Sequence, residues 1–210
     1  MYIPAHFRED DCAVLFEFVR ENSFGLLVTA ADNVPTATHL PFTLDTDAGE
    51  NGVLRAHVAR ANPQWKQLES EREILVVFAG EHSYISPTWY DSKPNVPTWN
   101  YAAVHAYGTP RILTVDEMRP LLVELIGQYE GEQGWSLDAV SAEYTDNLIR
   151  AIVGIEITVT RLEGKWKMSQ NKSAADQAGV VHALEDQPNP MAHAVAETMK
   201  SRLSNDPTTQ

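Results

Sequence analysis

Three stretches of this 210-residue chain carry bases and no acids. Asn51–Leu68 holds Arg55, His57, Arg60 and Lys66. Ser92–Val115 holds Lys93, His105 and Arg111 among Trp99, Tyr101 and Tyr107. Gly164–Ala175 holds Lys165, Lys167 and Lys172 beside Trp166. The chain as a whole is acidic: 16 Lys and Arg stand against 29 Asp and Glu, a net charge of −13. Bases gathered with aromatic rings inside a negative shell suit a small planar anion. They do not suit a nucleic acid or an anionic lipid surface, which so acidic a chain repels.

Each stretch admits a chemical reading and a plain structural one. In HVARANPQW (His57–Trp65) a strand ends at Arg60, Asn62 is a preferred helix cap, and Pro63 suits the first helical position. The open N–H groups of that helix start, with Arg60 beside them, would take a phosphate; the same residues also describe a well-capped helix with Arg60 at its rim. In VPTWNYAAVHAYG (Val96–Gly108), Trp99 and Tyr101 face one side of a strand and Asn100 the other. Asn100 then needs a polar partner, from the protein or from a ligand. KWKMSQNKS (Lys165–Ser173) sets Ser169, Gln170 and Asn171 in a row between lysines, or is a strand-to-helix turn with Ser173 as the cap. The long proline-bearing segment EHSYISPTWYDSKPNVP (Glu81–Pro97) reads as a loop of the length that is often functional or disordered.

Other chemistries find little footing. The histidines at 6, 39, 57, 82, 105, 182 and 193 are scattered, without HExxH or a Cys/His pair, so no metal site is expected. His39 and His57 are placed on neighbouring strands. There is no glycine-rich phosphate loop, no GxSxG, and no side chain that must act as catalytic acid or base. The single Cys12 excludes an internal disulfide and reads as a small buried residue of an early helix. No stretch approaches the ~18 apolar residues of a membrane span, and the expected setting is soluble and cytoplasmic.

The elements that must position these residues follow from periodicity. A helix runs from Asp10–Asp11 to about Asn22. Strands follow at Phe24–Ala30 and Pro35–Leu44 around the turn ADNV, and another at Val53–Ala59. A short helix starts at Pro63. Strands at Glu73–Gly80 and Tyr101–Leu113 precede a helix over VDEMRPLLVELIGQYE (Val115–Glu130) and a second ending at Asn147–Arg150. Ala151–Thr160 is a strand, and helices around Ala174–Leu184 and Met191–Leu203 close the chain before a frayed SNDPTTQ. Short strands with tight turns and late helices predict an α+β, mainly β fold, an antiparallel barrel with peripheral helices.

The motifs MYIPAHF, HLPF (His39–Phe42), HVARANPQW, YISPTWY (Tyr84–Tyr90), VPTWNYAAVHAYG and KMSQNK (Lys167–Lys172) resemble, in order, those of the PaiB-like FMN-binding negative transcriptional regulators. The resemblance implies an FMN-binding split β-barrel with Greek-key connections over residues 1–172. Residues 173–210 would be a helical extension packed on the barrel or on the partner subunit. It also implies a homodimer with flavin at the interface. Thr38, His39, Leu40 and Pro41 would line the isoalloxazine ring, and His57, Arg60 and Asn62 would take the phosphate. Trp99, Asn100, Tyr101, Lys167, Ser169, Gln170 and Asn171 would close the site from the partner. Direct DNA reading is disfavoured by the charge, so regulation would run through flavin binding or redox chemistry. The alternatives are an FMN-dependent oxidoreductase, similar to flavin reductases or pyridoxamine-phosphate oxidases and using a small substrate or nicotinamide donor, and a haem-binding or haem-degrading protein with His182 or His193 as axial ligand.

Overall fold

The computed structural model describes residues 1–70, 72–131 and 133–204. Among them lie, in chain order, β1 (Arg8–Glu9), α1 (Cys12–Glu21), β2 (Phe24–Ala31), β3 (Val34–Pro41), β4 (Thr43–Asp45), β5 (Val53–Ala59) and α2 (Trp65–Leu68). Then come β6 (Ile74–Ile85), β7 (Thr98–Ile112), α3 (Val115–Glu130), α4 (Ala142–Arg150), β8 (Ile152–Lys167), α5 (Ala174–Glu185) and α6 (Pro190–Ser204). The strands form one sheet in the order β3-β2-β6-β7-β8-β5-β4, with β1 on β8. The expected α+β composition and antiparallel pairing are present, as in β2 with β3 and β5 with β8.

Local chemistry sets most boundaries. The Asp11 carboxylate caps α1 by accepting from the Ala13 N–H at 2.8 Å. That helix buries Leu15, Phe18 and Val19, while Cys12, its first residue, is exposed rather than buried. Asp32 and Asn33 take left-handed φ of 52° and 62°, as a tight hairpin turn requires. The stretch expected as one strand from Pro35 to Leu44 is two, because Phe42 turns into the core beside Phe78 and its N–H bonds the Ser23 carbonyl at 2.8 Å. The expected loop after Gly80 is partly strand: β6 continues to Ile85, a 3-10 turn follows at Pro87–Trp89, and β7 already starts at Thr98. β8 runs to Lys167, past the predicted end at Thr160. The tail SNDPTTQ lies outside the described residues from Asn205 onward.

Two compact units share these elements. The turn unit comprises Asp11–Phe78 and His105–Leu162, and the tail unit Met1–Asp10, Ala79–Val104 and the chain from Glu163. In the turn unit Leu27, Leu54, Ala56, Val58, Val76, Phe78, Ile155 and Ile157 are buried. On the opposite face of β5, Arg55 and His57 look towards α3, whose Met118, Leu121 and Leu125 pack with Leu113 and Ile149. Gly154 faces His57 across β5 and β8, and a Cβ there would crowd Met118 Sδ at 2.4 Å and Leu113 Cβ at 3.1 Å, so a larger residue would make those side chains shift. In the tail unit α5 and α6 pack on each other through Val180, Leu184, Val195 and Met199.

Candidate functional site

The sequence-predicted residues fall into two sets, one per unit. In the turn unit, β3 ends the sheet and pairs only with β2. Thr38 lies opposite Leu27 and buried Leu40 opposite Gly25, while His39 is exposed and stacks 5.9 Å from Phe24. Pro41 is half-buried. His39 and His57 lie on strands that approach each other, although β3 and β5 are not hydrogen-bonded neighbours in the sheet.

The polar groups of this set are largely committed within the protein. Asn62 Nδ2 donates to Thr38 Oγ1 and its Oδ1 accepts the Gln64 N–H, both at 3.0 Å. Gln64, fully buried, accepts from the Thr38 hydroxyl and donates to the Thr36 carbonyl at 3.1 Å and the Leu27 carbonyl at 3.3 Å. The helix expected from Pro63 is a single turn, Trp65–Leu68. Arg60 Nε and Nη2 each donate at 2.8 Å, to the carbonyls of Arg150 and Ile152. Those two bonds place its positive charge at the C-terminus of α4, where a cation is favoured. His57 Nδ1 is buried with no hydrogen-bond partner among the described residues, and burial pushes the ring's pKa down, which keeps it neutral. Arg55 is ion-paired to Glu156 at 2.7 Å, Asp45 at 3.3 Å and Glu124 at 3.5 Å. Arg111 pairs with Glu117 at 2.8 Å and Glu156 at 2.7 Å. These contacts neutralise both bases of stretches that were acid-free only in sequence.

The set in the tail unit is different. Lys165, only 7% exposed, donates to the Tyr2 carbonyl at 3.1 Å and lies 5.1 Å from the Tyr101 ring. Lys167 Nζ donates to Thr98 Oγ1 and to the Trp99 carbonyl, each at 2.6 Å. Lys172 donates to Asn95 Oδ1 at 2.5 Å and lies 4.8 Å from the Tyr90 ring. All three ammonium groups rest on neutral oxygens, and none is in salt-bridge range of a carboxylate among the described residues. Burial, and then the charges of Lys165 and Lys172, push the Lys167 pKa below the ordinary lysine value.

Around the lysines, Asn100 is fully buried and finds its partners in the protein, donating to Ser169 Oγ at 3.0 Å and to Met199 Sδ at 3.4 Å. Ser169 takes a left-handed φ of 65°. Gln170 closes the turn, accepting from the Met168 N–H at 2.7 Å and donating to the Trp166 carbonyl at 2.5 Å, while Asn171 is exposed. Trp99 is 53% exposed, flanked by His82 at 6.2 Å and Tyr84 at 6.1 Å, and with half-buried Tyr101 it lines a hollow of 310 Å³. The two haem candidates are peripheral: His182 is exposed beside Asp186, and His193 Nε2 bonds the Gln187 carbonyl at 2.7 Å.

Two participants escaped the sequence reading. Gln64 ties the turn to β3, and nothing but its place after Asn-Pro marked it. Asp176, also buried, accepts from the Ser92 N–H at 2.8 Å and its hydroxyl at 2.7 Å, pinning the proline-bearing segment to α5. Lys165, by contrast, was marked: it sits two residues before Lys167 on one strand and so on the same face.

Residues 1–161 match the family model described as "Putative FMN-binding domain". Over 207 residues, 97% of this chain and 98% of the other, the sequence is 38% identical to the protease synthase and sporulation protein PAI 2 of Bacillus subtilis. The chain belongs to the PaiB-like FMN-binding family. An uncharacterized protein of Emericella nidulans is 34% identical over 96% of this chain and 97% of its own length. Among solved structures, flavocytochrome Anf3 from Azotobacter vinelandii superposes with a TM-score of 0.61 at 14% identity, covering 84% of this chain and 78% of that one. That likeness is one of fold, the split β-barrel with peripheral helices. The family's cofactor, FMN, is the cofactor of this chain. The tail unit's residues fit its chemistry: exposed Trp99 and half-buried Tyr101 suit a planar ring, and three lysines without carboxylates suit a phosphate dianion.

Proposed function

We propose that the protein is a cytoplasmic, homodimeric FMN flavoprotein and a negative regulator that acts through its flavin rather than by reading DNA. The ring lies along the β3 edge at Thr38–Pro41 of one subunit and is closed by Trp99 and Tyr101 of the partner subunit. The phosphate is taken by the cluster of Lys165, Lys167 and Lys172. The observation that carries this reading is that cluster, three ammonium groups with no carboxylate in salt-bridge range among the described residues of an otherwise acidic chain. An unbalanced buried charge is costly, and an anion of fixed position relieves the cost. Lys167 would orient the phosphate, and the Asn100–Ser169 pair would hold the turn that carries it. Bound FMN supplies one- or two-electron redox chemistry, which the protein directs by orientation and electrostatics.

Two further features support the reading. The face of β2, β3 and β6 that carries Phe24 (66% exposed), Leu26, Val28, Leu75, Val77 and His39 leaves apolar surface for a second copy. The net charge of −13 disfavours a phosphate polymer while leaving a local cationic pocket for one phosphate. No helix among the described residues is long and apolar enough to cross a membrane. Light scattering of the FMN-loaded protein should give twice the 23.4 kDa chain mass with one flavin per chain. A monomer holding a full complement of FMN would contradict the shared site. Anaerobic addition of NADH or NADPH then separates two ways of using the flavin. Bleaching of its visible bands marks a redox regulator or oxidoreductase, and an unchanged spectrum marks a flavin-liganded one.

A further inference from the structure

We infer that a second groove in the tail unit, on the Trp89 side of Trp99, is a binding site for a neutral planar aromatic molecule bearing a carboxamide edge. The inference rests on the flavoprotein reading for its biological sense, because the reduced nicotinamide of a hydride donor is a neutral, near-planar ring that carries the same carboxamide edge. It does not rest on that reading for its geometry. The groove encloses 660 Å³ and is walled by Tyr84, Trp89 and Trp99, with Met191, Gln187 and Asn189 from the α5–α6 connection. That volume, within the ~300–1,000 Å³ of small-molecule sites, takes a ring together with an attached sugar.

Two properties select the occupant. The lining holds no carboxylate, ammonium or guanidinium, and its one imidazole, His82, has Nδ1 3.2 Å from the Gly80 carbonyl. A charged ring would therefore lose hydration without finding a permanent counter-charge. The two amides are each half used. Gln187 Nε2 donates to the Ala183 carbonyl at 3.1 Å, and Asn189 Oδ1 accepts from the Met191 N–H at 3.0 Å. Gln187 Oε1 and Asn189 Nδ2 have no hydrogen-bond partner among the described residues. One acceptor and one donor on the same wall match a carboxamide, whose NH2 donates to the first and whose carbonyl accepts from the second. The aromatic walls supply the stacking faces.

The sequence builds this groove with some care. Trp89 sits in the 3-10 turn Pro87–Trp89, and α5 approaches so closely that a Cβ at Gly179 would lie 2.4 Å from the Trp89 carbonyl oxygen. The buried Asp176–Ser92 bonds fix the following segment to the same helix. The wall is therefore held in place before any ligand arrives, which lowers the entropic cost of binding.

Saturation-transfer NMR on the FMN-loaded protein tests this, with nicotinamide as the probe and nicotinate, its charged isostere, as the comparison. Nicotinamide ring protons should be saturated and those of nicotinate should not. Trp89→Ala should abolish the signal. Asn189→Asp, which keeps the capping oxygen and so the start of α6, should cut it about fivefold, as expected for one neutral hydrogen bond. Flavin absorbance per chain should be unchanged in both variants. Silent nicotinamide in the wild type, an equal signal in Trp89→Ala, or displacement of nicotinamide by FMN added to flavin-free protein would each overturn the inference. Saturation by nicotinamide in a protein that takes up no FMN would leave the groove standing and remove the flavin reading. Bound FMN with silent nicotinamide would do the reverse.

Discussion

The Asn62 turn and the lysine cluster are both basic or polar and were both picked out by the same absence of acids, yet they handle polarity in opposite ways. In the turn, Asn62, Gln64 and Thr38 satisfy one another, and Arg60 commits two of its donors to the Arg150 carbonyl that ends α4 and the Ile152 carbonyl that begins β8. In the lysine cluster the ammonium groups meet neutral oxygens and the faces of aromatic rings, with no carboxylate in salt-bridge range among the described residues. A region whose donors are already matched holds the fold together, and one whose charges are unmatched is poised for a ligand. Acid-free sequence is common to both, so it marks where a site could lie without saying which stretch is a site.

The contrast can be broken by mutation. Lys167→Ala should have the largest effect, raising the Kd for FMN about tenfold to a hundredfold, since charge-assisted bonds contribute about 1.5–3 kcal/mol. Gln64→Ala should instead lower stability by about 2 kcal/mol in urea unfolding, because it strands the Leu27 and Thr36 carbonyls in a buried place. Arg60→Ala should cost about 1 kcal/mol of stability and change the Kd for FMN by less than about threefold. Proton linkage sharpens the same contrast. The Lys167 pKa is depressed in the free protein and an anion raises it, so FMN binding should take up protons and weaken as pH rises through that pKa, which calorimetry in buffers of different ionisation heat would read. The smallest effect is expected at Glu117, where the Arg111 guanidinium, with help from Thr114, holds the carboxyl down to about 2. Its stabilising contribution is complete above the ordinary value of 4.5 and fades as pH falls towards 2, and Glu117→Gln should flatten that acid limb of the unfolding curve.

Most of the fold was legible because its signals are local. The extent of α3, Val115–Glu130, was readable to the residue from its periodicity and acidic first turn, and the structure adds a Thr114–Glu117 capping box at its start. The hairpin at Asp32–Asn33 and the Ser173 cap on α5 were equally local. Where pairing partners decide, the reading slipped: Phe42 breaks a run that looks continuous, and β8 continues through Glu163 and Lys165 because β1 pairs with it at Glu9 and Arg8. The candidate site divided in the same manner. The types and the face of Lys165 and Lys167 could be read from a period of two. That Asn100 would be bonded to Ser169 and Met199, and Arg60 to the end of α4, depends on residues 69 to 99 positions away in the chain, and no spacing rule reaches so far.

The proposed site sets the phosphate of FMN on the lysine cluster and not on the Asn62 turn. Flavin-fluorescence titration of FMN and of riboflavin, which lacks the phosphate, tests this in the wild type, Lys167→Ala and Arg60→Ala proteins. FMN should be strongly preferred to riboflavin in the wild type and in Arg60→Ala, and the preference should collapse in Lys167→Ala. A preference that survives in Lys167→Ala and collapses in Arg60→Ala would contradict it.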